Sequence, residues 1–158
     1  MVVRVVKIVL TALVIAGAVF FILYTSGSRD RFLVIRDSGS GRIYGKWPLE
    51  DAEEFDIEFV HSVHKSPVRE TFRHENKMIS PVSVRFSSFG AGMLSDLEEG
   101  QKMVQDGDVM VITGFSFSVP ALNYIVGTAS DHLLFINGES ISLTELCGRN
   151  AQITIYVK

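Results

Sequence analysis

Ten consecutive residues, His61-Ser62-Val63-His64-Lys65-Ser66-Pro67-Val68-Arg69-Glu70, hold two imidazoles, two serine hydroxyls, two cations and a carboxylate. Three chemistries compete for this segment. A zinc site needs three or four ligands converging at about 2 Å. The candidates besides His61 and His64 are Glu70, His74 and His132, and none stands at a recognisable ligand spacing. A hydrolase would take Ser62 or Ser66 as nucleophile, with a histidine in hydrogen-bond reach, an orienting carboxylate and an oxyanion hole, and the chain has no nucleophile-elbow sequence. The third reading is a strand that runs into a loop, with Pro67 fixing the backbone and the polar side chains forming a solvated rim or a binding surface. In an uninterrupted strand His61 and Val63 would share one face and Ser62 and His64 the other, so the imidazoles would diverge unless a turn before Pro67 re-aims them.

A second cluster, Ser87-Ser88-Phe89-Gly90-Ala91-Gly92-Met93, invites a nucleotide-binding reading and fails it. Ser95 stands where a dinucleotide fingerprint needs its third glycine, no phosphate-loop lysine follows, and the chain lacks βαβ alternation. The glycines fit a bulge or close turn whose amides could still contact an anion. His132 precedes an apolar run, where a lone histidine fits a hydrogen-bonded structural role, with Asp131 beside it to fix its tautomer.

The elements that must position these residues are strands. From Phe32 onward, short runs of Val, Ile, Phe and Tyr alternate with Gly, Asn, Asp and Pro. Strands are expected over residues 32–36, 42–47, 55–63, 68–74, 78–86, 109–115, 122–127, 133–136 and 153–157, with turns at 38–41 and 75–77 and a tight Asn137-Gly138 pair. Pro48 is expected to end the second strand. Residues 96–108 are polar and fit a short helix or long loop. Strands at this spacing without intervening helical patterns predict an all-β antiparallel sandwich, Ig-like or barrel-like.

Residues 8–27 (IVLTALVIAGAVFFILYTSG) form an uncharged run long enough to cross a bilayer core of about 30 Å. The run exceeds the apolar region of a typical cleavable signal, while Thr25 and Gly27, small residues at the offsets a signal peptidase uses, make cleavage after Gly27 the alternative. Residues 1–27 are therefore expected to be an uncleaved signal anchor, and residues 28–158 an extracytoplasmic β domain behind it. Arg4 and Lys7 balance Arg29 and Arg31 across the run, so orientation rests on its place at the start of the chain. Leaving out Arg4 and Lys7 takes the formal charge from −3 to −5 for residues 28–158, a poor balance for binding nucleic acid. One cysteine, Cys147, excludes an intramolecular disulfide, so packing must hold the domain together.

Phe59-Val60-His61-Ser62-Val63, Pro67-Val68 and Glu70, Ser88 with Gly90-Ala91-Gly92-Met93, and Asp131-His132-Leu133-Leu134 together resemble the family catalogued as domain of unknown function 1850, over residues 32 to the C-terminus. Val68 departs from it, since many members carry Trp after the proline. The resemblance implies a small bacterial or archaeal membrane-anchored protein associated with TRAP transporters of the TAXI type, without an activity to carry over. Two functions follow as expectations. One is a non-catalytic accessory protein of such a transporter, docking onto its permease or substrate-binding protein without a cofactor, through His61, Ser62, Pro67, Glu70, Ser88, Gly90, Gly92, Met93 and His132. The other is an extracytoplasmic hydrolase or metal-binding protein built on His61, His64, Glu70 and His132.

The anchor makes a topological prediction. Alkaline phosphatase fused after Lys158 should be active in the bacterial cell and a cytoplasmic reporter at the same point silent; the reverse pattern would overturn the assigned orientation.

Overall fold

In the computed structural model, residues 31–49, 53–62, 65–87 and 97–158 are described, and residues 1–27, expected as a signal anchor, lie outside them. Residues 31–158 form one compact unit, in which the described residues make eleven strands and one short helix. The strands are β1 (Arg31–Asp37), β2 (Ile43–Leu49), β3 (Glu54–Val60), β4 (Pro67–Glu75), β5 (Met78–Phe86) and β6 (Lys102–Asp106), then β7 (Val109–Thr113), β8 (Ala121–Ile125), β9 (His132–Ile136), β10 (Glu139–Ser142) and β11 (Gln152–Val157). The helix, α1, covers Leu143–Cys147. Among the described residues no helix is long and apolar enough to cross a membrane.

The chain is all-β and its strand pairs are antiparallel. One sheet has the order β2-β1-β11-β8, the other β10-β9-β3-β4-β5-β7-β6. Burying apolar side chains between the sheets drives the assembly. Leu33 and Ile35 of β1 and Ile153 and Ile155 of β11 meet Phe55 and Ile57 of β3, Phe72 of β4 and Leu134 of β9 in the main core. Val68, Phe86 and Ile112 form a second, smaller cluster further along the seven-stranded sheet. The two layers make a β-sandwich.

Most expected strands are present, and the departures have physical causes. The β2 strand runs through Pro48 to Leu49, because it is the outer strand of its sheet and the missing N–H need not enter a ladder. The β3 strand stops at Val60 rather than Val63, where the chain turns ahead of Pro67. Residues 102–106, expected as helix or loop, are the edge strand β6. Among the described residues it pairs only with β7, leaving Lys102, Val104, Gln105 and Asp106 exposed, so the half-buried alternation that marks a strand is absent from its sequence. The β4–β5 register shifts between Thr71 and Phe72, which leaves Val82 as the extra residue beside Pro81, where a bulge accommodates a residue that cannot donate.

Cross-strand register decides which side chains share the inner face. Leu134, Ile57, Glu70, Val84 and Ile112 are successive partners in one row across the large sheet. His132, Phe59, Val68, Phe86 and Met110 form the neighbouring row. Each row thus carries one polar side chain into an apolar layer. Ile155 is wholly buried between the sheets, so Ile155→Ala should lower the unfolding free energy by about 2–5 kcal/mol in denaturant titration, whereas Val104→Ala on the exposed edge should change it by no more than about 0.5 kcal/mol.

Candidate functional site

Two concave sites flank the polar members of these rows. The first is a pocket of about 450 Å³ at one end of the sandwich, lined by His61, Ser62 and Lys65 from the β3–β4 loop, residues 127–130 from the β8–β9 loop, and His132. The β3–β4 loop is closed by its own backbone: His61 N–H donates to the Ser66 carbonyl at 2.9 Å and Lys65 N–H to the His61 carbonyl at 2.9 Å. Ser130 Oγ donates to the Val60 carbonyl at 3.3 Å, linking the two loops. Gly127 is required by close approach, because a Cβ there would lie 2.2 Å from the Ser130 carbonyl oxygen.

His132 is held by two aromatic rings and a backbone amide. Its ring stacks on Phe59 at 5.1 Å between centroids and meets Tyr124 edge-on at 6.1 Å. The Gly127 amide donates to Nδ1 at 3.1 Å, so the neutral ring carries its proton on Nε2. Burial holds its pKa below the usual 6.5, although the Asp131 charge pulls the other way. Asp131 does not set the tautomer as expected. Its Oδ1 instead accepts from the Thr144 amide at 2.9 Å, in the first turn of α1. Partial burial works to raise the Asp131 pKa, but hydrogen bonds from Ser142 and Thr144 outweigh it and hold the carboxyl below its usual value.

The second site is a cleft of about 660 Å³ between the sheets beside the outer strand β8. Its lining draws Phe72 from the main core and Val84 and Phe115 from the smaller cluster, with Glu70 and Tyr124 among them. The Tyr124 hydroxyl donates to Glu70 Oε2 at 2.5 Å, across the space between the sheets. Burial raises the Glu70 pKa and this hydrogen bond opposes the rise. Burial and the adjacent carboxylate push the Tyr124 phenol far above its ordinary value of 10, so it remains a donor.

The structure therefore brings His61, Ser62 and His132 to one pocket and places Glu70 in the other cleft, with Tyr124 touching both Glu70 and His132. Pro67 opens β4, exposed, beside a shallow hollow of about 260 Å³ that also contains Arg69 and Arg85. Ser88, Gly90, Gly92, Met93 and His64 lie outside the described residues. His74 is fully buried at the far end of β4 from Pro67, remote from His61 in the sheet. Among the described residues no three His, Cys, Asp or Glu groups converge for a metal ion. No hydrogen bond joins a serine hydroxyl to His132 among them, and the buried Ser66 hydroxyl has no partner there. Sequence reasoning missed Lys65, Ser130 and Tyr124 as site residues. A usable signal existed for Glu70 and Tyr124: each takes a period-2 position whose neighbours two residues away, Val68 and Phe72 or Leu122 and Val126, are apolar.

A family model described as a domain of unknown function (DUF1850) matches residues 55–143, more than half of the chain. The chain belongs to this family. No curated protein and no solved structure matches it. The DUF1850 match is narrower than residues 32 to the C-terminus, over which the motifs suggested a resemblance. It contains His61, Glu70, Tyr124 and His132, while β1, β2 and β11 fall outside it.

Because the folded pKa of His132 is depressed, the unfolded chain binds more protons below about pH 6.5 and stability falls as pH drops through that point. The His132 ring should titrate below 6.5 by NMR. The drop in melting temperature between pH 7 and pH 5.5 should be smaller in His132→Gln than in the native chain, and an equal drop would refute this account of the ring.

Proposed function

We propose that residues 31–158 act as a non-catalytic binding domain, held at the cytoplasmic membrane by the N-terminal anchor and serving a TAXI-type TRAP transporter as an accessory protein. The domain would face outside the cytoplasm and dock onto the permease or the substrate-binding protein. One observation carries the reading. The end pocket is lined by Lys65, His61, His132 and the hydroxyls of Ser62, Thr128 and Ser130, and no carboxylate lines it among the described residues, although the part of the chain outside the anchor is acidic. Such a lining suits an acidic group on a partner.

The arrangement also argues for holding over turnover. His132 uses Nδ1 to accept the Gly127 amide, and the neighbouring carboxylate of Asp131 is engaged at α1, so the nucleophile, base and orienting acid of a hydrolytic relay are not assembled around this ring.

Affinity purification of the full chain from detergent-solubilised native membranes should retain the transporter subunits. Lys65→Glu and His61→Ala should each abolish that retention and transporter-dependent uptake, while the melting temperature stays within about 2 °C, as expected for changes near 0.5 kcal/mol at a polar rim. Ester hydrolysis lost with His61→Ala, or stoichiometric zinc in the purified protein, would overturn the reading.

A further inference from the structure

The inter-sheet cleft is chemically unlike the end pocket. Its charged lining residues are two carboxylates, Glu70 and Glu98, and no Lys, Arg or His lines it among the described residues. The rest is largely apolar and aromatic, including Phe72, Phe115, Phe117 and Tyr124, with Phe115 and Phe117 packed edge to face at 6.3 Å. Its volume of about 660 Å³ lies within the range of small-molecule sites, roughly 300–1,000 Å³.

Glu70 is the informative group. A carboxylate on the inner face of a sandwich needs its acceptor capacity filled, and Tyr124 fills only part of it. Oε1 has no hydrogen bond among the described residues, and it is not among the sealed, unpartnered buried atoms. It is therefore an acceptor available at the cleft wall, with aromatic faces nearby.

We infer that this cleft binds an organic cation: an apolar or aromatic body carrying one protonated amine, with the ammonium donating to Glu70 and the body lying against the phenylalanines. Charge complementarity selects this ligand class. An ammonium gains both a charge-assisted hydrogen bond and attraction to aromatic faces. A carboxylate ligand would meet two like charges, and a neutral ligand would leave the Glu70 charge uncompensated. The site is separate from the end pocket, so an acidic docking group and an organic amine can be tested independently.

Isothermal titration of the full chain in dodecyl maltoside, with protein-free micelles as the blank, tests this using phenethylamine, phenethyl alcohol and phenylacetate. The amine should bind at least about tenfold more tightly than the alcohol, as a charged hydrogen bond implies, and phenylacetate most weakly. Glu70→Gln keeps an acceptor for Tyr124 and should bring amine affinity down to that of the alcohol. Ala121→Trp, adding bulk to the lining on the outer strand, should abolish binding of both, while Tyr124→Phe, which keeps the carboxylate, should retain amine preference. Amine affinity should also fall as pH is lowered into the range where Glu70 takes up a proton. Equal binding of amine and alcohol, tighter binding of phenylacetate, no binding of any probe, or amine affinity unchanged by both Glu70→Gln and Ala121→Trp would overturn the inference.

Discussion

A carboxylate turned toward the interior of a β-sandwich destabilises the fold unless a donor reaches it, and the hydroxyl of Tyr124 is the donor that reaches Glu70. The two residues come from different sheets, β8 and β4, so their hydrogen bond joins the two layers within the interface that the apolar core closes by packing. On one side of Tyr124 lies the cleft; on the other its ring meets His132. The separation of the concave surface into an acidic, aromatic cleft and a basic, hydroxyl-lined pocket follows from where this one side chain sits.

The two sites differ in how they are built. The cleft belongs to the sheets: cross-strand register places Glu70 between Ile57 and Val84, and the apolar neighbours raise its pKa by excluding water. The end pocket belongs to loops whose described residues are constrained at several points. Gly127 approaches the Ser130 carbonyl where no side chain fits, its amide pins the His132 ring, and the β3–β4 loop is closed by two backbone hydrogen bonds with Lys65 at φ +55°. Loops fixed in this way can present polar groups in a reproducible arrangement, which is what a recognition surface requires.

The outer face of the large sheet explains where the remaining charge goes. Arg69 donates to Glu58 at 2.8 Å, lies 3.6 Å from Asp56, and covers the Phe135 ring at 4.1 Å. Arg73 pairs with Glu54 two repeats of the pleat further along. These pairs are partly exposed and contribute little to stability individually, but they satisfy the basic residues of β4 on the face opposite Glu70. The decad that contains both Arg69 and Glu70 is therefore split by strand alternation: Arg69 serves the outer surface and Glu70 the interior.

Period-2 patterning determined the architecture because burying one face of a strand requires apolar residues at alternate positions; Phe55, Ile57 and Phe59 show it, and they line the core as expected. Asn137-Gly138 likewise determined its hairpin, since both residues tolerate the positive φ that the turn needs. The pattern was silent where a strand is mostly solvated, as in β6, in which only Met103 is half-buried, and misleading where an edge position lets a proline stay in a strand, as at Pro48. The types and spacing of His61, Glu70 and His132 marked them as chemically competent, but their grouping depends on sheet order, which residue spacing does not encode. Only the tertiary structure brought β9 beside β3, so that His132 stacks on Phe59, and set β8 opposite β4, so that Tyr124 reaches Glu70 from 54 residues away in the chain. Local sequence determines which face a side chain takes, because alternation is a property of a single strand; which other strand that face meets is a long-range packing outcome, decided by how the two layers bury their combined apolar surface.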